Sequence, residues 1–506
     1  MKKFLTVVAL LLLPFLSRSQ TEHFTLKATV KNTGQDYVTL NYEPRLRGTL
    51  SPHGYLAIGS AIDSKGNFKL GSDRITDGAE YYLDFNKKII RLVLFNDDEL
   101  KLEADLDNLQ VSIFAIGKGA GKINVMHLSQ FEYKLIDTEL SLDEFVAKND
   151  STIDSRLTLL EAIYAKNPRS PAIVTATNKQ KIQRIIKETP LSQKEYDFLK
   201  LDIEIQRYLV SDYISATSET ANYGSSIIKP ESPFFNAFRK ENHKKIKNLN
   251  HYHSGNAAEQ ILKFEFIRTK LEANTTLTYK DWNKTIVWEE YSAWIKQYLR
   301  DNFTAGVHDQ YYADIMNWYA TMGISDEPLY NYLRSNAVDQ NCLRRYDAFK
   351  KLLDKGLNDV EHDLNEKTLV LDKTAFEALL QKHKGKNVLY VFWSAQFAGA
   401  SVLNCLPAVA YLEKQYGLIV INICVDKAEH KDLWAARIID SDWKGSHYFM
   451  PVENNADTLE AFGNSNIGSF CSGGAAYILV NKTGDIHKDI TRPTELTSTK
   501  MASYLK

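Results

Sequence analysis

The stretch from Asn387 to Trp393, NVLYVFW, constrains this 506-residue chain more than any other. It is an unbroken apolar run of strand length, preceded by Gly385-Lys386 and followed by Ser394-Ala395-Gln396, and it reads as a strand buried on both faces. A short helix from Lys373 to His383 leads into it. Beyond it the pattern alternates: helix Val402 to Tyr416, strand Leu418 to Asp426, helix Glu429 to Ile439, then a strand near Ser446 to Met450. A helix at Ala456 to Phe462, paired strands Ala476 to Val480 and Asp485 to Ile490, and a last helix from Glu495 complete the order. Apolar strands in that sequence predict a mixed sheet covered by helices on both faces.

The first twenty residues predict an address. Lys2 and Lys3 precede the apolar run Phe4 to Phe15, and Ser17-Arg18-Ser19 puts small residues just ahead of Gln20. This reads as a secretory signal peptide over residues 1–19, with an apolar run too short to span a bilayer comfortably. No Cys follows it to carry a lipid, so membrane association is not expected once the signal is removed. The expectation is an exported protein of the periplasm or cell envelope of a Gram-negative bacterium. A formal net charge of −1, with acids and bases interspersed, gives no electrostatic case for nucleic acid.

Between Phe24 and Leu106 short alternating strands are separated by polar turns: Phe24 to Val30, Tyr37 to Tyr42, Ala57 to Ile62, Phe68 to Leu70, Tyr81 to Phe85, Ile89 to Phe95 and Leu100 to Leu106. Asp63-Ser64-Lys65-Gly66-Asn67 predicts a hairpin between the third and fourth. The whole predicts an antiparallel β-sandwich, or an open barrel, over residues 20–118. Gly117 to Gly121, GKGAG, reads as a hinge out of it; the stretch lacks the placement of lysine and hydroxyl that a phosphate loop needs. From there to residue 363 the period is helical. Leu191-Ser192-Gln193-Lys194-Glu195 is a capping box with its staple residue, opening a helix through Tyr213. Trp282, Trp288, Trp294 and Trp318 fall on amphipathic helices and read as core anchors. His251-Tyr252-His253 lies in a polar stretch without acidic or thiol neighbours, so no metal site is expected; nor is a cofactor.

The C-terminal order and several short motifs resemble the thioredoxin superfamily, specifically the TlpA-like exported thiol-disulfide oxidoreductases, from about Leu364 to Lys506. Gly385 to Trp393 is similar to the family's GKxVLVxFW. Pro407 matches its helix proline, Tyr477 to Ile486 its FLIDxxGxI, and Arg492-Pro493-Thr494 its RPS. The N-terminal β-rich part also resembles a module of unassigned role found ahead of TlpA-like domains. The resemblance implies a thioredoxin-like domain over residues 364–506, with a helical domain over 119–363 before it.

The chain departs from the family where the chemistry resides. A Cys-x-x-Cys pair should open the helix after Trp393, where the helix dipole and free N–H groups stabilise a thiolate. Counting forward from Phe392 the pair falls on Phe397-Ala398-Gly399-Ala400; counting back from Pro407, on Gly399-Ala400-Ser401-Val402. Neither contains Cys. The family's cis-proline falls on Gly474, beside Gly473, and a non-proline cis peptide is strongly disfavoured. Of the four cysteines, Cys424 lies within the strand IVINICV and reads as buried, and Cys342 falls on a helical segment. Cys471, in the loop facing the former active site, and Cys405, on the first helix, remain as reactive candidates. Three functions are compatible with these residues. The first is a redox-inactive binding or scaffolding protein that holds a peptide or envelope protein at the groove beside Trp393, Phe397 and Gly473-Gly474. The second is an atypical oxidoreductase using Cys471 with Cys405. The third is an enzyme with its site between domains.

Overall fold

The computed structural model describes residues 23–42, 57–86, 88–131, 140–209, 246, 254–272, 277–278, 288–321, 325–338, 340–364, 370–396, 399–452 and 475–506. The chain is a multidomain α+β protein, β-rich at its N-terminal end, helical in the middle, and mixed in its last part.

Eight strands form two four-stranded sheets. One has the order β4-β1-β7-β8, built from β1 (Phe24–Lys31), β4 (Asn67–Ser72), β7 (Glu99–Asp105) and β8 (Phe114–Lys118). The other has the order β3-β2-β5-β6, built from β2 (Tyr37–Tyr42), β3 (Ala57–Ala61), β5 (Ala79–Phe85) and β6 (Lys88–Leu94). Alternate residues of both, among them Leu26, Val30, Leu40, Tyr81, Leu83, Leu92 and Leu102, enter one buried cluster. Two features depart from the sequence expectation. β1 and β7 run parallel, with Leu26 opposite Leu100 and Ala28 opposite Leu102, so the first sheet is mixed. β3 and β4 are not a hairpin, because β3 pairs with β2 and β4 with β1. The Asp63–Gly66 turn, which Asp63 caps through the Lys65 and Asn67 amides, carries the chain from one sheet to the other.

GKGAG is a packed corner rather than a hinge. Gly119 sits at φ +86°, and a Cβ there would meet Asp98 Oδ1 at 1.9 Å. It opens α2 (Ala120–Met126), after a single-turn α1 (Leu109–Ser112). Lys122 on α2 is fully buried, and its ammonium donates to Asp98 Oδ2 at 2.6 Å and to the Gly119 carbonyl.

The helical middle attaches on two sides. α3 (Leu142–Tyr164), α4 (Pro171–Val174), α5 (Lys179–Glu188) and α6 (Gln193–Ile205) share a core with Val93, Phe95 and Phe114 of the β-rich part. The capping box at Ser192–Glu195 forms as predicted, and a second one at Ser141–Glu144 opens α3. After α6 the chain tightens into a 3-10 turn at Gln206–Leu209, and residues 210–213 lie outside the described residues, as do Trp282 and His251 to His253. The later helices are α7 (Ser254–Glu272), α8 (Trp288–Asn302), α9 (Ala305–Thr321), α10 (Glu327–Asn336) and α11 (Arg344–Leu364); they share a core with the C-terminal part instead. Trp294, on α8, stacks on Tyr298 at 4.5 Å. Arg345 of α11 pairs with the Asp440 carboxylate across that junction.

The last part is a five-stranded mixed sheet, order β11-β10-β9-β12-β13. β9 (Val388–Trp393), β10 (Ile419–Asp426) and β11 (Ser446–Pro451) are parallel, while β12 (Ala476–Val480) and β13 (Ile486–Ile490) run antiparallel. Every residue of β9 is buried. Val388, Tyr390 and Phe392 face Phe376 and Leu379 of α12 (Lys373–Lys382). Leu389, Val391 and Trp393 join the cluster containing α13 (Gly399–Tyr416) and α14 (Lys431–Asp440). A strand covered on both faces has no solvated side, which is why NVLYVFW is apolar throughout. Cys424 is fully buried in β10, and α15 (Ser498–Tyr504) closes the chain.

Replacing Lys122 by Met should cost about 3–5 kcal/mol in urea unfolding, since it strands the Asp98 carboxylate in the interior. Adding Asp98→Asn should recover part of that loss; equal stability of both variants would refute a coupled pair. His447 in β11 is 1% exposed, its ring against Trp443, and burial lowers its pKa from 6.5 to about 4. The folded chain thus refuses a proton that the unfolded chain accepts, so stability is full above about 6.5 and falls as pH drops towards 4. The loss should approach about 3 kcal/mol, and His447→Gln should remove it.

Candidate functional site

Ser394 follows β9 immediately, and its buried hydroxyl donates to Asp426 Oδ2 at 2.8 Å. Asp426 ends β10, so two parallel strands deliver this pair to the same carboxyl edge of the sheet, where open α/β folds place their sites. The same carboxylate accepts from the Gln396 amide at 3.2 Å and the Lys427 amide at 2.9 Å. His430 Nδ1 lies 2.7 Å from Asp426 Oδ1. The loop entering α13 is therefore wired to a buried carboxylate. The serine bonds to the carboxylate and not to the imidazole, so these three residues are not a nucleophile–base relay.

Of the residues that the motifs point to, Trp393 is buried and packs on Trp443 at 4.9 Å. Gly399, Ala400 and Ser401 form the first turn of α13. Phe397, Ala398, Cys471, Gly473 and Gly474 lie outside the described residues. Cys405 stands further along α13 beside Tyr477 of β12. Burial pushes its thiol up from the ordinary range, with the Tyr477 hydroxyl opposing. Asp426, His430 and Ser394 carry no motif that marks them in advance. The signal for them was a polar residue ending each of two apolar strands.

The sheet β3-β2-β5-β6 lies over α13: Tyr37 stacks on Tyr411 with ring centroids 4.6 Å apart. Arg492, just past β13, pairs with Asp84 of β5 at 3.2 Å. Between the two faces is a cavity of about 660 Å³. Its floor is the outer face of that sheet, where Thr39 sits opposite Asp84 and Asn41 opposite Tyr82. Its roof is Asn404, Cys405, Tyr477, Arg492 and Thr494. Asn41 Oδ1, Asp84 Oδ1, Asn404 Oδ1, Tyr477 OH and Thr494 Oγ1, on residues of its lining, are closed to water and without a nitrogen or oxygen hydrogen-bond partner. The Tyr477 hydroxyl has the Cys405 thiol beside it, a weak partner at best. Burial raises the Asp84 carboxyl above its usual range, and Arg492 opposes that rise. Among the described residues no helix is long and apolar enough to cross a membrane, and no cluster of three His, Cys, Asp or Glu is placed for a metal.

No family model and no curated protein matches this chain. One solved structure is similar: the solution structure of a candidate thiol-disulfide oxidoreductase from Bacteroides vulgatus. It is 23% identical, covering 25% of this chain and 75% of its own, with a TM-score of 0.19. A likeness at that score fixes neither fold nor activity.

Asp426→Asn should destabilise the protein by about 2–4 kcal/mol, because several charge-assisted hydrogen bonds converge on that one group. Amide exchange at Gln396 and Lys427 should accelerate. Unchanged exchange there would mean that the loop is held by something else.

Proposed function

We propose that the chain is an exported, thioredoxin-like protein of the bacterial cell envelope that binds rather than exchanges disulfides. In this reading residues 20–118 are a β-sandwich domain, 119–363 a helical domain and 364–506 a TlpA-like domain, preceded by a signal peptide over 1–19. Support comes from the motifs between Gly385 and Arg492 and from a sheet that combines three parallel strands with an antiparallel pair. The single observation that carries the redox-inactive reading is the state of Cys405. Its residue is half-buried, its thiol pKa is raised by burial, and among the described residues its neighbour is the Tyr477 hydroxyl and not a second sulfur. A reactive thiol needs the opposite: a lowered pKa and access. The groove that the family would use for substrate is, in this reading, the surface that the chain's own β-sheet overlies; Phe397 and Gly473-Gly474, which the resemblance assigns to that groove, lie outside the described residues.

Purified protein should not reduce insulin disulfides above background, and Cys405 should resist iodoacetamide until the chain unfolds. Turnover that disappears in Cys471→Ser would overturn this proposal in favour of an atypical oxidoreductase.

A further inference from the structure

The outer face of the β4-β1-β7-β8 sheet places its charges unevenly. In two of its rows unlike charges stand opposite one another: Glu99 of β7 faces Lys118 of β8, and Lys31 of β1 faces Asp105 of β7. A row between them holds three lysines on three neighbouring strands. Lys27 of β1 faces Lys69 of β4 on one side and Lys101 of β7 on the other, and all three are exposed. Like charges set directly opposite one another destabilise a sheet. Glu99 and Glu103 stand two residues either side of Lys101, yet Lys27 and Lys101 enter no ion pair or hydrogen bond among the described residues. The fold keeps adjacent ammonium groups together without an internal counter-charge.

This row lines a cavity of about 470 Å³, within the usual range for small-ligand sites. Four of the lining residues are cationic and one, Glu103, is acidic. The fourth cation is Arg184 of α5, whose guanidinium lies 3.6 Å from the centre of the Phe114 ring and is held by Glu188 at 3.0 Å. Arg184 is therefore fixed over β8, beside the row. The charge of the lining selects an anion. Neighbouring strands are about 4.8 Å apart, so the three lysines extend over about 10 Å, and a single anionic group can bridge only two of them. Ammonium groups act as point charges with donors and no acceptor, the form in which lysine recognises phosphate, whereas carboxylates match the planar fork of arginine.

We infer that this recess binds an anion carrying two or more phosphoryl groups, whether in a soluble molecule or in a lipid headgroup. The site is separate from α13, and thiol inactivity is not required for it. The test has two arms on the full chain: calorimetric titration with inorganic tripolyphosphate, against citrate as the carboxylate control, and sedimentation with phosphatidylcholine vesicles with and without cardiolipin. Tripolyphosphate binding at one per chain, with citrate at least tenfold weaker, is the expected result and marks a soluble ligand. Binding confined to cardiolipin vesicles would mark the headgroup source. In either arm Lys27→Gln and Lys101→Gln should each weaken binding at least fivefold, while Lys148→Gln, exposed on α3, should leave it unchanged. The melting temperature of the two sheet variants should hold or rise, because each loses a like-charged neighbour. Citrate binding as tight as tripolyphosphate, no binding in either arm, or binding that survives both sheet substitutions would overturn the inference. So would a melting temperature that falls in both variants.

Discussion

The buried Lys122–Asp98 pair is the interaction on which the rest of the N-terminal half depends. Asp98 accepts the Phe95 amide at the β6–β7 turn, and Lys122 caps the chain's exit from β8. Neither charge reaches water, so each is tolerable only because the other is in place. Burial drives the Asp98 carboxyl up and the Lys122 ammonium down, and their attraction opposes both shifts. One turn further, Glu195 of the Ser192 capping box accepts the Lys122 amide, and Asn124 bonds the Ala115 backbone and Thr189. A sheet end, a glycine corner and two helices thus meet at one polar knot. The Lys122 ammonium also lies 4.2 Å from the centre of the Phe95 ring, which covers it from solvent.

A second union joins the two ends of the chain, and it is of a different kind. Where α13 meets the β3-β2-β5-β6 sheet, the contact is made by the stacked Tyr37 and Tyr411 rings, the Arg492–Asp84 pair and the Ser498 amide bonded to Asp36. Arg492 is half-exposed, so its ion pair adds little to stability and mainly fixes orientation. Aromatic stacking closes one side of the interface, and the cavity occupies the other. The first union holds a structure together. The second aligns two surfaces around a space.

The legible parts of the sequence were those where local chemistry and tertiary environment agree. β9 runs from Val388 to Trp393 as the apolar run predicts, because both of its faces are covered. Ser192 and Glu195 close their capping box because the bonds are local. The Ala57–Leu70 hairpin failed because alternation marks strands without naming partners; a turn at Asp63–Gly66 serves a sheet crossing as well as a hairpin. The parallel β1–β7 pairing joins residues far apart in sequence, and no local signal reports it. GKGAG reads as a hinge by composition, yet its glycines are small because Asp98 and the Thr189 carbonyl press against them. The motifs pointed to a helix start that holds no Cys-x-x-Cys pair, whereas the cavity comes from residues as distant as Asn41 and Thr494.

The entrance to α13 is ordered by buried polar groups. Here the ordering charge belongs to Asp426, set at the end of the adjacent strand and satisfied by Ser394, Gln396, Lys427 and His430. The carboxylate is nearly out of water and fully ligated, so it holds the entrance to α13 in place through acceptance alone. Holding α13 fixed also fixes Asn404, Cys405 and Tyr411, the residues that meet the N-terminal sheet. Asp426 and its partners therefore position one wall of the cavity between α13 and the β3-β2-β5-β6 sheet.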